Sequence, residues 1–329
     1  MKILQDSHGR MITYMRISVT DRCNMRCTYC VPKDGFQHVP HDHILSYEEI
    51  LRIVRISRGM GINKFRITGG EPLVRKGIID LIGEMNRMGG VQTTFTTNGL
   101  LLEEKAGELM MAGVKRLNIS IDSLKPERFA AITGTGDLDK VFRGVEKALE
   151  TGFDPIKLNF VVMKGINDDE LMDFVDLARD KPYHVRFIEF MPMKENGWGR
   201  ERFIPSEKIE EMVRERCVLT PDPAEDKGSP SRNFIIDGYA GKVGFISPVS
   251  RHFCDSCNRI RLTSDGHLKS CLLKKGEVDI KLLLRKGAGD DVLEEIISRA
   301  VMLKPSGHAL DEECYDNEET AFPMTRIGG

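Results

Sequence analysis

The sequence predicts an α/β protein on a parallel sheet, either wound open or curved into part of a barrel, with a C-terminal extension of different texture. Three observations lead there. Short strand-like runs alternate with longer helical ones six times before about residue 200, as in sheets whose crossovers are helices. Gly89-Gly90, Gly113 and Gly152 each follow a helical run, where a chain reversal favours glycine. After residue 200 the alternation stops, and residues 220–231, rich in proline, aspartate and glycine, read as a linker or long loop.

The elements follow in order. Strand 15–19 (MRISV) leads to helix 46–58, where Ser46 with Glu49 makes a capping box. Strand 64–68 leads to helix 78–88, strand 93–97 to helix 101–111, and strand 116–121 to helix 138–151. Strand 156–162 leads to helix 168–179, and strand 185–190 closes the series. Further helical patterns cover 279–285 and 291–303. Functional-looking residues gather at the C-terminal ends of these strands: 21–30, 69–72, 96–99, 120–123 and 191–192. That edge of an α/β sheet is where ligands bind.

A formal net charge of −2 supplies no global field toward nucleic acid or membrane, so any anionic ligand must be held by local cations. No apolar run reaches the roughly 18 residues that span a bilayer, and the first residues lack the pattern of a signal peptide. A cytoplasmic location is expected, with no nucleic-acid or membrane partner. The eight cysteines then read as metal ligands or thiols rather than disulfides. They fall into two sets of three, Cys23, Cys27, Cys30 and Cys254, Cys257, Cys271, with Cys217 and Cys314 left over as inert thiols.

Structural metal sites usually close four ligands around the ion. Three thiolates on one loop can instead hold three irons of a [4Fe-4S] cluster and leave the fourth open. The competing reading is zinc completed by a histidine: His38, His41 or His43 for the first set, His252 or His267 for the second. The three early histidines read most simply as residues of a loop.

RCNMRCTYC at 22–30, GGEP at 69–72 and SID at 120–122 resemble the radical S-adenosylmethionine enzymes. In those, the open iron chelates the amino and carboxylate groups of S-adenosylmethionine, and one electron yields a 5′-deoxyadenosyl radical. The order of SVTDRCNMRCTYC, RITGGEP, TTNG, RFIEFM, CNRIRL and a terminal Gly-Gly is more specific. It resembles the GTP 3′,8-cyclase family of molybdenum cofactor biosynthesis over essentially the whole chain.

The resemblance implies an incomplete (β/α)6 TIM-like barrel over 1–200 and an α+β extension over 201–329 that carries a second [4Fe-4S] cluster and caps the open side. It implies a radical cyclisation of GTP to (8S)-3′,8-cyclo-7,8-dihydroguanosine 5′-triphosphate, begun by hydrogen abstraction from C3′. The six paired-up cysteines would ligate the clusters. Tyr29, Gly70, Ser120 and Met191 would contact S-adenosylmethionine. Arg16, Arg66, Thr96, Lys157, Arg259 and Arg261 would contact GTP, with Arg16, Arg259 and Arg261 closest to the chemistry. Arg186 is a neighbour of the cofactor site, and the Gly-Gly tail would enter among the arginines. Implied partners are a flavodoxin- or ferredoxin-type electron donor, cyclic pyranopterin monophosphate synthase as the next enzyme, and a second copy in a homodimer.

The residues themselves leave rivals. Arg66 and Lys157 could pair with a strand carboxylate such as Glu189. Arg259 and Arg261, which alternate and so share a face, could lie on a solvated edge strand. The chain could also be a radical enzyme acting on a peptide with an auxiliary cluster, or a zinc-stabilised binding module.

Overall fold

All six expected strands form, and consecutive ones lie side by side and parallel in the computed structural model. It describes residues 3–31, 37–193, 196–224, 228–274, 276–307 and 324–328; Cys314 and Gly329 lie outside these. The series runs β1 (Tyr14–Ser18), α1 (Tyr47–Gly59), β2 (Lys64–Thr68), α2 (Ile78–Arg87), β3 (Gln92–Thr97), α3 (Leu102–Met111), β4 (Arg116–Ser120), α4 (Pro126–Thr133), α5 (Leu138–Thr151), β5 (Ile156–Val162), α6 (Leu171–Asp176) and β6 (Tyr183–Glu189). The capping box is present: the Ser46 hydroxyl accepts from the Glu49 N–H, and Glu49 Oε2 accepts from the Ser46 N–H at 2.7 Å.

The rest comprises α7 (Ser206–Arg214), β7 (Leu219–Pro221), β8 (Ser231–Ile236), β9 (Lys242–Ile246), β10 (Arg259–Leu262), β11 (His267–Lys269), β12 (Glu277–Asp279), α8 (Lys281–Arg285), α9 (Asp290–Met302) and α10 (Met324–Ile327). These strands join the barrel sheet at both edges. β10 pairs in parallel with β1, and β9 in parallel with β6. Outside them the pairing is antiparallel, β10–β11–β12 on one side and β9–β8–β7 on the other. Among the described residues the order ends at β12 and β7, which do not pair, so the barrel is incomplete.

Alternation along the strands sorts the two faces. Met15, Ile17, Phe65, Ile67, Phe95, Leu117, Ile119, Leu158, Phe160, Val185 and Phe187 are completely buried on the helix side, the main apolar core. The opposite face carries Tyr14, Arg16, Arg66, Thr96, Asn118, Lys157, Asn159 and Arg186, the residues one position away. A barrel interior is ordinarily filled by apolar side chains; this one is lined with polar and cationic groups.

Three local expectations are corrected. The run 168–179 breaks into a 3-10 turn, Asp168–Glu170, and a short α6. α4 is an additional helix, too short for its period to stand out. The stretch 220–231 begins inside β7, where Pro221 is tolerated because the strand is at the sheet's end. No helix among the described residues is long and apolar enough to cross a membrane.

Candidate active site

Parallel register places the cations in layers. Arg16 is level with Arg66 on β2 and with Arg261 on β10. Tyr14 is level with Lys64 and Arg259. Thr96, Asn118, Lys157 and His184 form a continuing row across β3 to β6. Among the described residues no carboxylate pairs with Arg16, Arg66, Lys157, Arg259 or Arg261. Glu189 accepts instead from the N–H groups of Ser206 at 2.7 Å, Val249 at 2.8 Å and Ser250 at 3.0 Å, which removes the salt-bridge reading. Arg259 and Arg261 are only 8% exposed, and β10 has strands on both sides, which removes the edge-strand reading.

The electrostatic conflict shows in acidities. Burial first, then Arg186, Arg66, Lys64 and Arg116, push the Lys157 ammonium down to about 6. Burial and then the neighbouring Arg261 push Arg16 well below its usual range. Burial and Arg66 lower Arg186 to about 9; its guanidinium donates to Asn118 Oδ1 at 2.7 Å and Asn159 Oδ1 at 2.9 Å. Burial raises the Tyr14 phenol, but Arg66, Arg16, Lys64 and Arg259 prevail and bring it down to about 8. Unpaired buried cations are costly. A polyphosphate supplies the missing charge, and guanidinium forks suit its oxygens. The Nε atoms of Arg16 and Arg66 and the hydroxyl of Thr96 are buried without partners among the described residues, so donors remain for such a ligand.

The first cysteine loop follows β1. Gly70 N–H donates to Thr20 O at 2.7 Å and Glu71 N–H to Arg22 O at 2.8 Å, so the GGEP turn clamps the chain just before Cys23. A Cβ at Gly70 would lie 2.3 Å from Arg22 O; close backbone approach by itself requires glycine there. Glu71 is buried and accepts from Asn98 N–H at 2.7 Å, Thr97 Oγ1 at 2.9 Å and Leu73 N–H at 3.0 Å. Arg26 and Thr28 N–H groups donate to Thr133 O and Ile132 O, pinning the loop to α4. The Tyr29 hydroxyl donates to Asp122 at 2.6 Å, and Asp122 also accepts from Val161 N–H. Tyr29 packs against the cluster of Ile132, Met163 and Phe190 at the same end of the sheet. Ser120 and Met191, at the ends of β4 and β6, are half-buried there.

The donor chemistry fits a cluster. Cys23, Cys27 and Cys30 are free thiols. Burial, then Cys30, Asp122 and Cys23, hold Cys27 far above its usual range; burial, Cys23 and Asp122 push Cys30 up to about 12. Burial also raises Cys23, and thiols held protonated in this way need a shared cationic group to become thiolates. Among the described residues no three His, Cys, Asp or Glu side chains are gathered as around one ion. A cluster asks for a wider triad, because each sulfur meets its own iron. His41 and His43 sit on an exposed 3-10 turn, and His38 lies 3.4 Å from Asp21.

The second triad lies at the other end of the lumen. Cys257 precedes β10 by two residues, and β10 runs parallel to β1, whose far end carries Cys23. Strands of this length separate the triads by on the order of 15 Å. Cys271 follows β11, which returns antiparallel to the same end. Burial would raise Cys257, but Arg259 and Lys304 prevail and lower it to about 6. Lys304 is buried and donates to Arg259 O at 2.9 Å and Ser270 O at 2.8 Å, tying the flanks of the triad together. Arg10 donates to Cys254 O at 2.7 Å and Pro305 O at 2.6 Å. Arg261 donates to Gly328 O at 2.6 Å, bringing the described part of the Gly-Gly tail to the cation layer.

The structure thus gathers Arg16, Arg66, Thr96, Lys157, Arg259 and Arg261 on one lumen face and sets Tyr29, Gly70, Ser120 and Met191 at its C-terminal rim. Sequence reasoning passed over Tyr14, Asn118, Asn159, Arg10 and Lys304, and took Asp122 only as part of the SID motif. Tyr14 was detectable, lying two residues before Arg16 on the same strand face; the others needed the sheet order.

A model described as the radical SAM superfamily matches residues 17–178, and one described as molybdenum cofactor synthesis C matches 183–310. The GTP 3′,8-cyclase of Syntrophomonas wolfei is 46% identical over 98% of this chain and 99% of its own. That of Thermodesulfovibrio yellowstonii is 45% identical over 99% of this chain and all of its own. Streptococcus suis SuiB bound to S-adenosylmethionine superposes with a TM-score of 0.60 at 15% identity, covering 88% of this chain and 69% of that one. At that identity the likeness is one of fold.

Proposed function

The chain belongs to the GTP 3′,8-cyclase family, and from that premise we propose that it cyclises GTP to (8S)-3′,8-cyclo-7,8-dihydroguanosine 5′-triphosphate, the first step of molybdenum cofactor biosynthesis. The observation that carries this is the lumen: Arg16, Arg66, Lys157, Arg259 and Arg261 share one cavity face with no carboxylate among the described residues to neutralise them. Cys23, Cys27 and Cys30 would hold the first [4Fe-4S] cluster, and Cys254, Cys257 and Cys271 the second. A cluster held by the first triad would supply, with S-adenosylmethionine, the one-electron radical chemistry that hydrogen abstraction at C3′ needs.

The chain's own residues do the rest by position and charge. The lumen cations hold the triphosphate between two triads at opposite ends, so the nucleoside can face both at once. Tyr29, kept in place by Asp122, with Gly70, Ser120 and Met191, forms the rim where S-adenosylmethionine sits. Arg261 and Gly328 close part of the wall, and exclusion of water protects a reactive carbon radical. Orientation of this kind is the protein's main contribution when the cofactor carries the chemistry.

Reduction at the end of the cyclisation requires a one-electron donor of flavodoxin or ferredoxin type, and the reactive product requires a following enzyme such as cyclic pyranopterin monophosphate synthase. A cytoplasmic homodimer completes the reading. Protein reconstituted anaerobically with iron and sulfide, then given dithionite, S-adenosylmethionine and GTP, should form 5′-deoxyadenosine and the cyclised nucleotide together. Cys23→Ala should form neither. Deoxyadenosine without a nucleotide product in the wild type would refute GTP as the substrate.

A further inference from the structure

We propose that Tyr14 is a positioning residue whose aromatic face holds Arg16 and Arg66 in the lumen with their charges intact, ready for a polyphosphate. The proposal rests on the GTP reading of that cavity and adds the element that keeps its cations in place. Arg16 and Arg66 project from neighbouring strands in one layer. Neither guanidinium has a hydrogen-bond or carboxylate partner among the described residues, and their Nε atoms are buried. What they share is the Tyr14 ring: the Arg16 Cζ lies 5.9 Å and the Arg66 Cζ 5.6 Å from its centroid, with the Lys64 Nζ at 5.0 Å. Tyr14 itself is buried, and its hydroxyl has no hydrogen-bond partner among the described residues. The ring, not the hydroxyl, therefore makes the contacts.

The chemistry explains why an aromatic residue stands here. An aspartate or glutamate would anchor the guanidiniums through paired, charge-assisted hydrogen bonds. A phosphate would then have to displace a carboxylate from each. An aromatic quadrupole attracts cations, more strongly in a desolvated site, yet leaves their N–H groups free for a ligand. Such a surface reduces self-repulsion among the cations before the ligand arrives and does not compete with it afterwards. Preorganisation of this type is expressed as affinity.

The test compares Tyr14→Phe, Tyr14→Leu and phenylalanines at position 14 carrying increasing ring fluorination, which weakens the quadrupole at nearly constant shape. Binding of GTP and of inorganic tripolyphosphate to the reconstituted protein is measured by anaerobic equilibrium dialysis, without reductant. Tyr14→Phe should bind both ligands within about threefold of wild type, since the hydroxyl has no partner to lose. Tyr14→Leu should bind both about ten- to a hundredfold more weakly, and affinity should fall stepwise with fluorination. The fluorinated series keeps the test valid if the leucine variant does not fold. Wild-type tripolyphosphate affinity across the fluorinated series would overturn the proposal, as would a loss in Tyr14→Phe equal to that in Tyr14→Leu. Tripolyphosphate binding that follows the ring, in a protein that ignores GTP, would refute the GTP reading and leave the role of Tyr14 standing.

Discussion

Lys157 sits on β5 level with Asn118 and His184, facing Arg186 and Arg66, with no carboxylate among the described residues to pair with it. Its ammonium value of about 6 in the ligand-free chain means it is mostly neutral at pH 7.5. A polyphosphate bound beside it would restore the proton, so GTP binding should take up close to one proton there. Affinity should fall up to about tenfold per pH unit between the free value and the higher value in the complex. Calorimetry in two buffers of different ionisation enthalpy reads the uptake directly, and Lys157→Met should abolish it; a wild type that takes up none would remove Lys157 from the phosphate site. The stability sign follows from the same depression. Between about pH 6 and the ordinary lysine value near 10.5, the unfolded chain binds a proton that the folded chain does not, so this group's destabilisation lessens as pH rises. Lys157→Met should therefore melt higher than wild type at pH 7, with a gap that narrows toward alkaline pH.

At the scale of an element, the first cysteine loop depends on the turn that clamps it. Both hydrogen bonds from Gly70 and Glu71 reach backbone carbonyls of residues 20 and 22, immediately before Cys23. A methyl group at Gly70 would meet Arg22 O and C at 2.3 and 2.6 Å, atoms that cannot turn aside. Gly70→Ala should displace the loop and lower iron per chain toward the content of a single cluster after reconstitution. Gly152 is a suitable control: its φ is +90° and nothing lies within 4 Å of a Cβ there, so Gly152→Ala should cost about 1–2 kcal/mol of stability and no iron. Full iron in Gly70→Ala would show that the clamp does not set the triad. GGEP was legible in the sequence as a turn in the right place. That its glycines serve a backbone approach to residues 20–22 was not, because the contact joins segments separated by about fifty positions.

The whole molecule shows the same division between local and distant signals. Alternation made the six barrel strands and their cationic positions readable, since each strand's pattern lies within its own few residues. The placement of β10 beside β1 and of β9 beside β6 left no local trace: parallel pairing across such distances is written only in the joined surfaces. Those pairings bear on the organisation proposed from sequence, 1–200 for the first part and 201–329 for the second. β1 and β6 each take their second parallel neighbour from the later part, and Arg259, Arg261 and Lys304 complete the lumen and the second triad. Cutting at residue 200 would bare two sheet edges of a type found almost always covered and would leave the remaining lumen cations facing an open side. The two parts share one sheet, so the first is expected to need the second in order to fold. Residues 1–200 expressed alone should associate or precipitate, and hydrogen exchange should find unprotected those amides of β1 and β6 that face β10 and β9 in the full chain, which protects them. A monomeric fragment 1–200 with one cooperative unfolding transition would show that the barrel folds by itself, and that the later strands only cover edges already formed.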